Sequence, residues 1–527
     1  MYSNSRELLM NVCKIKAWPI PCKGFFVLFI FSLVWMYFVY SPTVNIPFAN
    51  HDQYRYFVPK TSSPTSEPQF IWLFLITGRP LSALIEQLIF RFTHTLNDLT
   101  IIRLIAIILT GFLVTLFSNW LSSNQKFSKI EAFCISIAVF TLPGIQNFII
   151  MTNVSNLTAI TLAFLSYLSI IKIDEFSIKG YLPSAALLLG SLFIYPALTF
   201  FFFVPLLIRL LLSDKESISK EIKLTFRAIA FVIINCIIYY ALVKCVLHTI
   251  YNFYHNINAV QPDYNFNLLN IPIFFAIMNL LKRVYPMASS FWIFHTSLPL
   301  LILGGLIPFI FLSIKIKEIT KIIKNKNRWI IPLLLMFQII IFFAAGSFTF
   351  LIKPYFPILY RTLFVLSAML LVLMLISIFY LSDRGFPSLT KYFRIITCFL
   401  LLIIPSILAN RNVAHTALNA NMEINHIITT IRKSNLKNPE KIHFRIPQRV
   451  EYGYNGQRCI GDEFNFCSAN SALSKASFYY IAACALSQMH YKMPDCSNIS
   501  ISFIEDPLPI IEDTVVINME ILGNDPK

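Results

Sequence analysis

A polar motif that directly follows the first apolar segment carries the residues best suited to chemistry. From Asn50 to Arg55 it reads NHDQYR, so that the carboxylate of Asp52 lies beside an imidazole and three residues before a guanidinium. A carboxylate can take the proton of a hydroxyl nucleophile, and nearby cations stabilise the charge that a departing phosphate gains. Asp52 is therefore the candidate catalytic base. The structural alternatives for Asp52 are a solvated loop acid and a helix cap.

Cations that could offset the charge of a phosphate occur in this motif and in other polar connections. The candidates for phosphate binding are Arg55, Arg79, Lys282, Arg283, Lys353 and Arg361. The candidates for substrate binding are His51, Tyr54, Glu86 and Asp263. Taken singly, each lysine or arginine has a structural alternative, since such side chains also extend toward lipid headgroups. Because cationic side chains can offset this charge, we expect no metal and no other cofactor.

The composition predicts that a lipid bilayer surrounds most of the chain. Of its 527 residues 56% are apolar and only 13% are charged, about half the charged share of a soluble domain. The net charge of +17 could suggest nucleic acid as a partner. From residue 411 to 527, however, 11 basic residues face 12 acidic ones, so the excess lies in short connections between apolar runs. That pattern is typical of cytoplasmic loops and argues against a nucleic-acid groove.

Apolar runs bounded by charged residues predict about eleven transmembrane helices. They cover residues 24–40, 99–120, 130–148, 154–171, 181–194, 197–212, 228–248, 291–314, 329–350, 362–381 and 392–408. Pro196 favours a hairpin between the fifth and sixth spans. Three cations, Arg103, Arg209 and Lys244, fall inside predicted spans, where we expect them to pair with acids or backbone or to reach an interface.

The lysine and arginine residues of the connections fall on one side of the membrane if that hairpin exists. This asymmetry predicts a cytoplasmic N-terminal segment, residues 1–23, and an external C-terminus. Between them, residues 24–409 form the predicted transmembrane catalytic domain, with external loops at 41–98 and 249–290. Residues 410–527 form a small external C-terminal domain.

The C-terminal domain has the pattern of a small α/β or α+β fold. Residues 413–431 and 471–489 predict helices, and residues 442–446, 499–504 and 514–517 predict strands. Four cysteines, Cys459, Cys467, Cys484 and Cys496, are candidates for two disulfide bonds in an oxidising compartment. A zinc site is the alternative, but the domain has no C-x-x-C pair.

Several of these features resemble the bacterial O-antigen-modifying glucosyltransferases of the Gtr type. They are His51-Asp52 with Arg55, the Gly78-Arg79-Pro80 that follows, Tyr195-Pro196, the short cytoplasmic N-terminus and the external C-terminal domain. Members of that family have the multi-spanning C-type glycosyltransferase fold. Many of them carry two adjacent acids where this chain has His51-Asp52, so the assignment of the base rests on Asp52 alone.

This resemblance implies an enzyme of the bacterial inner membrane. It would transfer a sugar, glucose by analogy, from undecaprenyl phosphate to the O-antigen of lipopolysaccharide on the periplasmic face, with inversion of the anomeric centre. A flippase and a synthase of the donor lipid would be its partners in the same pathway. The C-terminal domain would then be periplasmic.

Two other functions remain as alternatives. An O-antigen polymerase or ligase would use a lipid pyrophosphate and arginine clusters in late external loops, a pattern that the early Asp52 motif does not fit. A transporter of lipid-linked saccharides would require paired broken helices in related halves, and the sequence shows no internal repeat. With 14 glycines and neither a G-x-G-x-x-G nor a Walker motif, nucleotide chemistry is not expected.

Overall fold

The computed structural model describes most of the helical part of the chain and parts of the C-terminal domain. The described residues are 22–49, 53, 74–75, 77–124, 127–171, 178–214, 217–253, 278, 280–289, 291–292, 298–322, 329–347, 360–385, 388–434, 439–446, 482–486, 488–489, 491, 498–503 and 514–519.

The described residues form fifteen α-helices, most of them apolar. They are α1 (Cys22–Asn45), α2 (Pro80–Phe92), α3 (Leu96–Asn124), α4 (Lys129–Phe140), α5 (Pro143–Ile150), α6 (Val154–Ile170), α7 (Ile178–Ile194), α8 (Pro196–Thr199), α9 (Phe203–Leu212), α10 (Ile218–Phe253), α11 (Tyr285–Ser289), α12 (Leu298–Ile322), α13 (Ile330–Gly346), α14 (Tyr360–Gly385) and α15 (Thr390–Lys433). A 3₁₀ turn joins α8 to α9, and a π-helical turn precedes α11.

Five of these helices are long and apolar enough to cross a membrane: α1, α3, α10, α14 and α15. A bent pair, α4 with α5, would make a sixth span, and five shorter apolar helices accompany them. The structure therefore confirms an α-helical membrane protein. The count of eleven spans stays a prediction.

Packed aromatic rings fill the centre of the bundle. The ring of Phe117 on α3 lies 5.9 Å from Phe140 on α4 and 5.6 Å from Phe164 on α6. Phe201 stacks on Phe364 of α14 at 5.7 Å. Because lipid is as apolar as these side chains, such contacts stabilise the bundle mainly through dispersion and close packing.

The predicted span at 130–148 is broken, since α4 ends at Phe140 and α5 begins at Pro143 with a bend of 61°. Proline disfavours helix in the residue before it and lacks an N–H group, which explains the break. The carbonyl groups that lose their helical hydrogen bonds at this break accept hydrogen bonds from side chains instead. Tyr40 donates a hydrogen bond to the Phe140 carbonyl at 3.0 Å, and Gln146 donates one to the Thr141 carbonyl at 2.8 Å.

The helix breaks before Pro196, where the sequence predicts a hairpin between two spans. Helix α7 ends at Ile194, Tyr195 is extended, and Pro196 begins α8. The short helix α8 contacts α7 and α6, and α9 then packs against α14 and α10.

Helix α15 joins two helices that the sequence predicts as separate. The span at 392–408 and the helix at 413–431 form one helix of 44 residues, about 66 Å long at 1.5 Å per residue. A bilayer core is about 30 Å thick, so α15 is long enough to cross it and to continue well beyond one surface. The predicted domain boundary at residue 409 therefore falls inside a continuous helix.

The C-terminal domain contains the three predicted strands. They are β1 (Lys441–Ile446), β2 (Ile499–Phe503) and β3 (Thr514–Asn518), which form a parallel sheet in the order β2-β1-β3. In its register Ile442 pairs with Ile499 and Phe444 pairs with Ile517. Of the predicted helix at 471–489, residues 482–486 are helical, and most of the remainder lies outside the described residues.

The sheet packs on the end of the bundle through one apolar face. Ile442, Phe444 and Ile517 share a core with Ile427 of α15 and Leu99 of α3. In β3 buried residues alternate with half-buried ones, as the period of two requires. This contact fixes the C-terminal domain at the end of the bundle where α3 begins.

Candidate functional site

The described residues of the predicted motifs, among them Gln53, Arg79 and Tyr195, lie at one end of the bundle, which we call the Arg103 end after its central residue. Here α1 ends and α3 begins, and the bend between α4 and α5 faces the C-terminal end of α1, as the bond from Tyr40 to the Phe140 carbonyl shows. The charge distribution predicts that this end is external. The C-terminal sheet packs on the same end.

Arg103 on α3 is completely buried at this end. Its Nη2 donates hydrogen bonds to the Phe48 carbonyl at 2.9 Å and to Oε1 of Gln53 at 3.0 Å, and its Nε donates to the Ile150 carbonyl at 3.3 Å. Its guanidinium also lies 3.6 Å from the centre of the Phe48 ring. The expected pairing of this intramembrane cation with backbone is thus confirmed, and the pairing ties the segment after α1 to the end of α5.

Gln53 is the one residue of the NHDQYR motif that the structure describes, and it is firmly held. Its Nε2 donates to the Ile150 carbonyl at 3.1 Å and to Oγ1 of Thr152 at 2.9 Å. Thr152 has a φ angle of 55°, an outlier for a β-branched residue and a feature that clusters at functional sites. Gln53 therefore binds the end of α5 and the strained residue between α5 and α6.

Arg79 brings together two motifs that are far apart in the sequence. It directly precedes Pro80, the first residue of α2, and its guanidinium lies 4.2 Å from the centre of the Tyr195 ring. The Gly78-Arg79-Pro80 and Tyr195-Pro196 motifs are therefore in contact. Gly78 has a φ angle of 74°, and its carbonyl accepts a hydrogen bond from the Tyr239 hydroxyl at 2.9 Å. An alanine there would place its Cβ 2.7 Å from that hydroxyl.

Glu86 links the same helix to the region around Gln53. It is 3% exposed on α2 and accepts a hydrogen bond from Oγ of Ser155 at 3.0 Å. Ser155 lies in the first turn of α6, three residues after Thr152. Arg79 directly precedes α2, and Glu86 lies within that helix. A cation and a carboxylate from the sequence candidates thus lie at the start of α2 and inside it, at the Arg103 end.

The remaining candidates are only partly described. Lys282 is exposed in the π-helical turn Leu280–Val284, and Arg361 is half-buried in the first turn of α14. Cys484 is buried, and burial raises the pKa of its thiol. His51, Asp52, Tyr54, Arg55, Asp263, Lys353, Cys459, Cys467 and Cys496, together with the side chain of Arg283, lie outside the described residues. The disulfide prediction therefore stays a prediction.

Arg103 and Gln53 are not among the sites chosen from the sequence, although Arg103 gives a signal there. An arginine within an apolar span is costly and often marks a functional site. Gln53 gives no such signal, because its role depends on a carbonyl group 97 residues away. Within the described ranges no group of three histidine, cysteine, aspartate or glutamate residues could hold a metal ion.

Charged residues at the opposite end, the Arg394 end, pair with one another. Arg394 donates to Asp383 at 3.0 and 2.6 Å and to Glu131 at 2.8 Å. A cavity of about 630 Å³ lies beside this cluster, and Lys315 in its wall donates to the carbonyl groups of Leu211 and Ser213. These contacts join the ends of α4, α9, α12, α14 and α15, and they give the cations a structural role.

No known protein family matches this chain, and neither a curated protein nor a solved structure matches it. Its function has to be inferred from its own residues.

Proposed function

We propose that the protein is a polyprenyl-phosphate-dependent glycosyltransferase with Asp52 as its general base and its reaction centre at the Arg103 end. The donor would be a sugar on undecaprenyl phosphate, and the acceptor a hydroxyl of the lipopolysaccharide O-antigen. The proposal includes the C-type fold, the inner membrane as location and a periplasmic C-terminal domain.

The observation that carries this proposal is the anchoring of Gln53. Gln53, the residue that follows the proposed base in the sequence, accepts a hydrogen bond from Arg103 and donates one to Thr152. A base must reach its proton within hydrogen-bonding distance. A fixed neighbour on a buried arginine supplies the rigidity that such a position requires.

Arg79 supports the proposal from the other side of the site. Its guanidinium rests on the Tyr195 ring, and its Nε is buried without a hydrogen-bond partner among the described residues. An arginine held by an aromatic face keeps its other N–H groups available for a phosphate. In the proposed reaction Asp52 takes the proton of the acceptor hydroxyl, the hydroxyl oxygen displaces the lipid phosphate at the anomeric carbon, and Arg79 stabilises the departing phosphate.

The direct test is sugar transfer by the purified protein in nanodiscs, supplied with polyprenyl-phosphate glucose and lipopolysaccharide. Since general bases contribute about 10²–10⁴-fold, Asp52→Asn should lower kcat by at least about a hundredfold while the protein stays folded. Asp98→Asn is the matched control, because Asp98 lies at the same end but accepts hydrogen bonds from the backbone of His94 and Thr95 at 2.8 and 2.7 Å. We expect that variant to keep most of its activity.

Two results would contradict the proposal. Full activity in Asp52→Asn would remove Asp52 as the base. Absence of any new glycosidic linkage with the wild-type protein would remove this donor and acceptor.

Transport of a lipid-linked saccharide is the second candidate, favoured by the bend of 61° between α4 and α5. Broken helices line the substrate sites of many transporters. Proteoliposomes that contain the protein would separate the two functions, because a transporter moves the lipid-linked sugar across the bilayer without forming a new linkage.

A further inference from the structure

The cavity at the Arg394 end lies between α12 and α14, beside the end of α9. Its volume of about 630 Å³ falls within the range of about 300–1,000 Å³ that is typical of small-molecule sites. The residues that line it recur every three or four positions, so that one face of each helix forms a wall. They include Lys315, Glu318 and Ile319 on α12 and Ile376, Tyr380 and Asp383 on α14.

The wall of this cavity carries charges of both signs. Its cations are Lys315 and Arg394, and its carboxylates are those of Asp214, Glu318 and Asp383. A ligand with only negative charge would meet three carboxylates, and a ligand with only positive charge would meet two cations. Charge complementarity therefore favours a ligand that has one group of each sign.

Glu318 has one carboxylate oxygen available for such a ligand. Its Oε1 accepts a hydrogen bond from the Tyr380 hydroxyl at 2.9 Å and also pairs with Arg384. Its Oε2 has no hydrogen-bond partner in the part of the chain that the structure describes. An ionised carboxylate only accepts hydrogen bonds. The group that Oε2 would bind is therefore a donor, and a charged N–H group is the strongest kind.

Arg394 has hydrogen-bond donors available in the same cavity. A guanidinium has five N–H donors, and Arg394 uses one on Glu131 and two on Asp383. The remaining N–H groups have no partner within the described ranges. Arginine is well suited to phosphate, because its planar donors match the phosphate oxygens.

The available acceptor and the available donors are held close together by α14. Glu318 is bound to Tyr380, and Arg394 is bound to Asp383. Tyr380 and Asp383 are three residues apart on this helix, so their Cβ atoms lie about 5–6 Å from each other. An ammonium and a phosphate that are joined by two carbon atoms span a comparable distance.

The surroundings of Arg394 indicate that the ligand is a lipid. On the same turns of α15, the side chains of Tyr392, Ile395 and Phe399 are 57–66% exposed. In a membrane protein such an apolar surface contacts lipid. The inner wall of the cavity is also apolar, since Ile319 and Ile376 are buried there. The cavity thus has a charged rim beside the lipid and an apolar interior.

We propose that this cavity binds the headgroup of a phosphatidylethanolamine lipid. Its ammonium donates to Oε2 of Glu318, and its phosphate accepts from Arg394. The lipid would join α12, α14 and α15 at the bilayer surface. The cavity lies at the end opposite to the proposed reaction centre, and this inference does not depend on the proposed function.

The test measures the affinity of the purified protein in detergent for three lipids with identical acyl chains. Native mass spectrometry counts the bound lipid, and the temperature of unfolding reports its stabilising effect. Phosphatidylcholine has a cation without an N–H donor, and phosphatidylglycerol has no cation. We expect phosphatidylethanolamine to bind at least about tenfold more tightly than either, since it alone makes the charged hydrogen bond to Glu318.

Two substitutions in the cavity should have different effects. Glu318→Gln keeps an oxygen that can accept from Tyr380 but removes the charge, so the affinity for phosphatidylethanolamine should fall to that for phosphatidylcholine. Arg394→Lys keeps a cation for Asp383 and Glu131, but an ammonium has only three donors, as many as Arg394 already uses. This variant should bind all three lipids more weakly, because each of them has a phosphate.

Glu221→Gln is the matched control. Glu221 lies at the same end and outside the cavity wall, and Arg209 occupies both of its oxygens at 2.6 and 3.0 Å. This substitution should leave the preference for phosphatidylethanolamine unchanged. An equal loss of preference in Glu221→Gln and Glu318→Gln would show a general effect on the fold and would overturn the inference.

The other outcomes also decide the inference. Equal affinity for the three lipids would overturn it, and so would a preference that persists in Glu318→Gln. Free phosphoethanolamine separates a lipid from a soluble ligand with the same charged groups, and equally tight binding of this compound would contradict a lipid as the occupant. None of these measurements requires sugar transfer, so failure of the proposed function would not affect them.

Discussion

Replacement of Arg103 by methionine tests whether this residue positions Gln53, the neighbour of the proposed base. The substitution keeps a long apolar stem but removes the hydrogen bonds to the Phe48 carbonyl and to Oε1 of Gln53. The Ile150 carbonyl keeps its hydrogen bond from Gln53. Two buried acceptors therefore lose this donor, while Gln53 retains its own bonds to the backbone between α5 and α6.

The expected loss follows from these two acceptors. At about 1–3 kcal/mol for each buried acceptor that loses its donor, the free energy that holds Phe48 and Gln53 in place falls by about 2–6 kcal/mol. The cation–π contact with Phe48 adds about 0.5–2 kcal/mol, and relief from burying a charge offsets part of the sum. Even the lower figure corresponds to roughly a thirtyfold change in the ratio of bound to released Gln53.

Hydrogen–deuterium exchange of residues 46–53, together with sugar transfer, measures the effect. In Arg103→Met we expect faster exchange in this segment and a kcat at least tenfold lower. In Arg103→Lys the exchange rate and kcat should lie between those of the wild-type protein and Arg103→Met, since an ammonium keeps the charge but cannot reproduce the planar set of donors. Arg209→Met is the control, because Arg209 makes a comparable pair with Glu221, at 3.0 and 2.6 Å, at the Arg394 end.

We expect the control to lower the temperature of unfolding while exchange in residues 46–53 stays at the wild-type rate. If Arg103→Met left both the exchange of that segment and the transfer rate unchanged, Arg103 would not be a positioning residue. If Arg209→Met accelerated exchange there as much as Arg103→Met, the effect would be a general loss of stability.

Two further predictions concern packing and pH. Gly144→Ala should destabilise the protein by about 1–3 kcal/mol, because its Cβ would lie 2.7 Å from Cβ of Phe364. Gly190→Ala is the control: its Cβ would meet only one side-chain atom, at 3.3 Å, so the temperature of unfolding should stay nearly unchanged. Equal unfolding temperatures in the two variants would contradict this reasoning. The pKa of His443 lies below its ordinary value of 6.5 because burial and then the charge of Arg445 disfavour the imidazolium. Below pH 6.5 the unfolded chain therefore binds a proton that the folded sheet does not, so the folded sheet loses stability as the pH falls. The protection of the β1 amides against hydrogen exchange should decrease between pH 7 and pH 5. In His443→Gln this protection should no longer depend on pH.

Much of the secondary structure follows from local pattern. The strands at 442–446, 499–504 and 514–517 are predicted within a residue or two because apolar residues alternate there with polar ones or because β-branched residues predominate. The break before Pro196 follows from the geometry of proline. The single helix α15 is not predicted, because the polar residues from Asn410 to Asn412 suggest a surface loop, whereas Asn410 and Asn412 bind α1 and α5.

The candidate site likewise has features that the sequence predicts and contacts that only the structure shows. The sequence by itself determined that the chain lies in a membrane and, within a residue or two, where its strands begin and end, because these properties depend on composition and short spacing. Helix ends are predicted less well: α10 covers Ile218–Phe253 where the sequence predicts a span at 228–248. The charged residues that could act on a phosphate stay candidates. Only the tertiary structure decided that Arg103 holds Gln53, that Arg79 lies on Tyr195, and that Asn412 of α15 binds Gln146 of α5. The physical reason is that these contacts join residues 50 to 266 positions apart, and only the packing of the helices sets such distances.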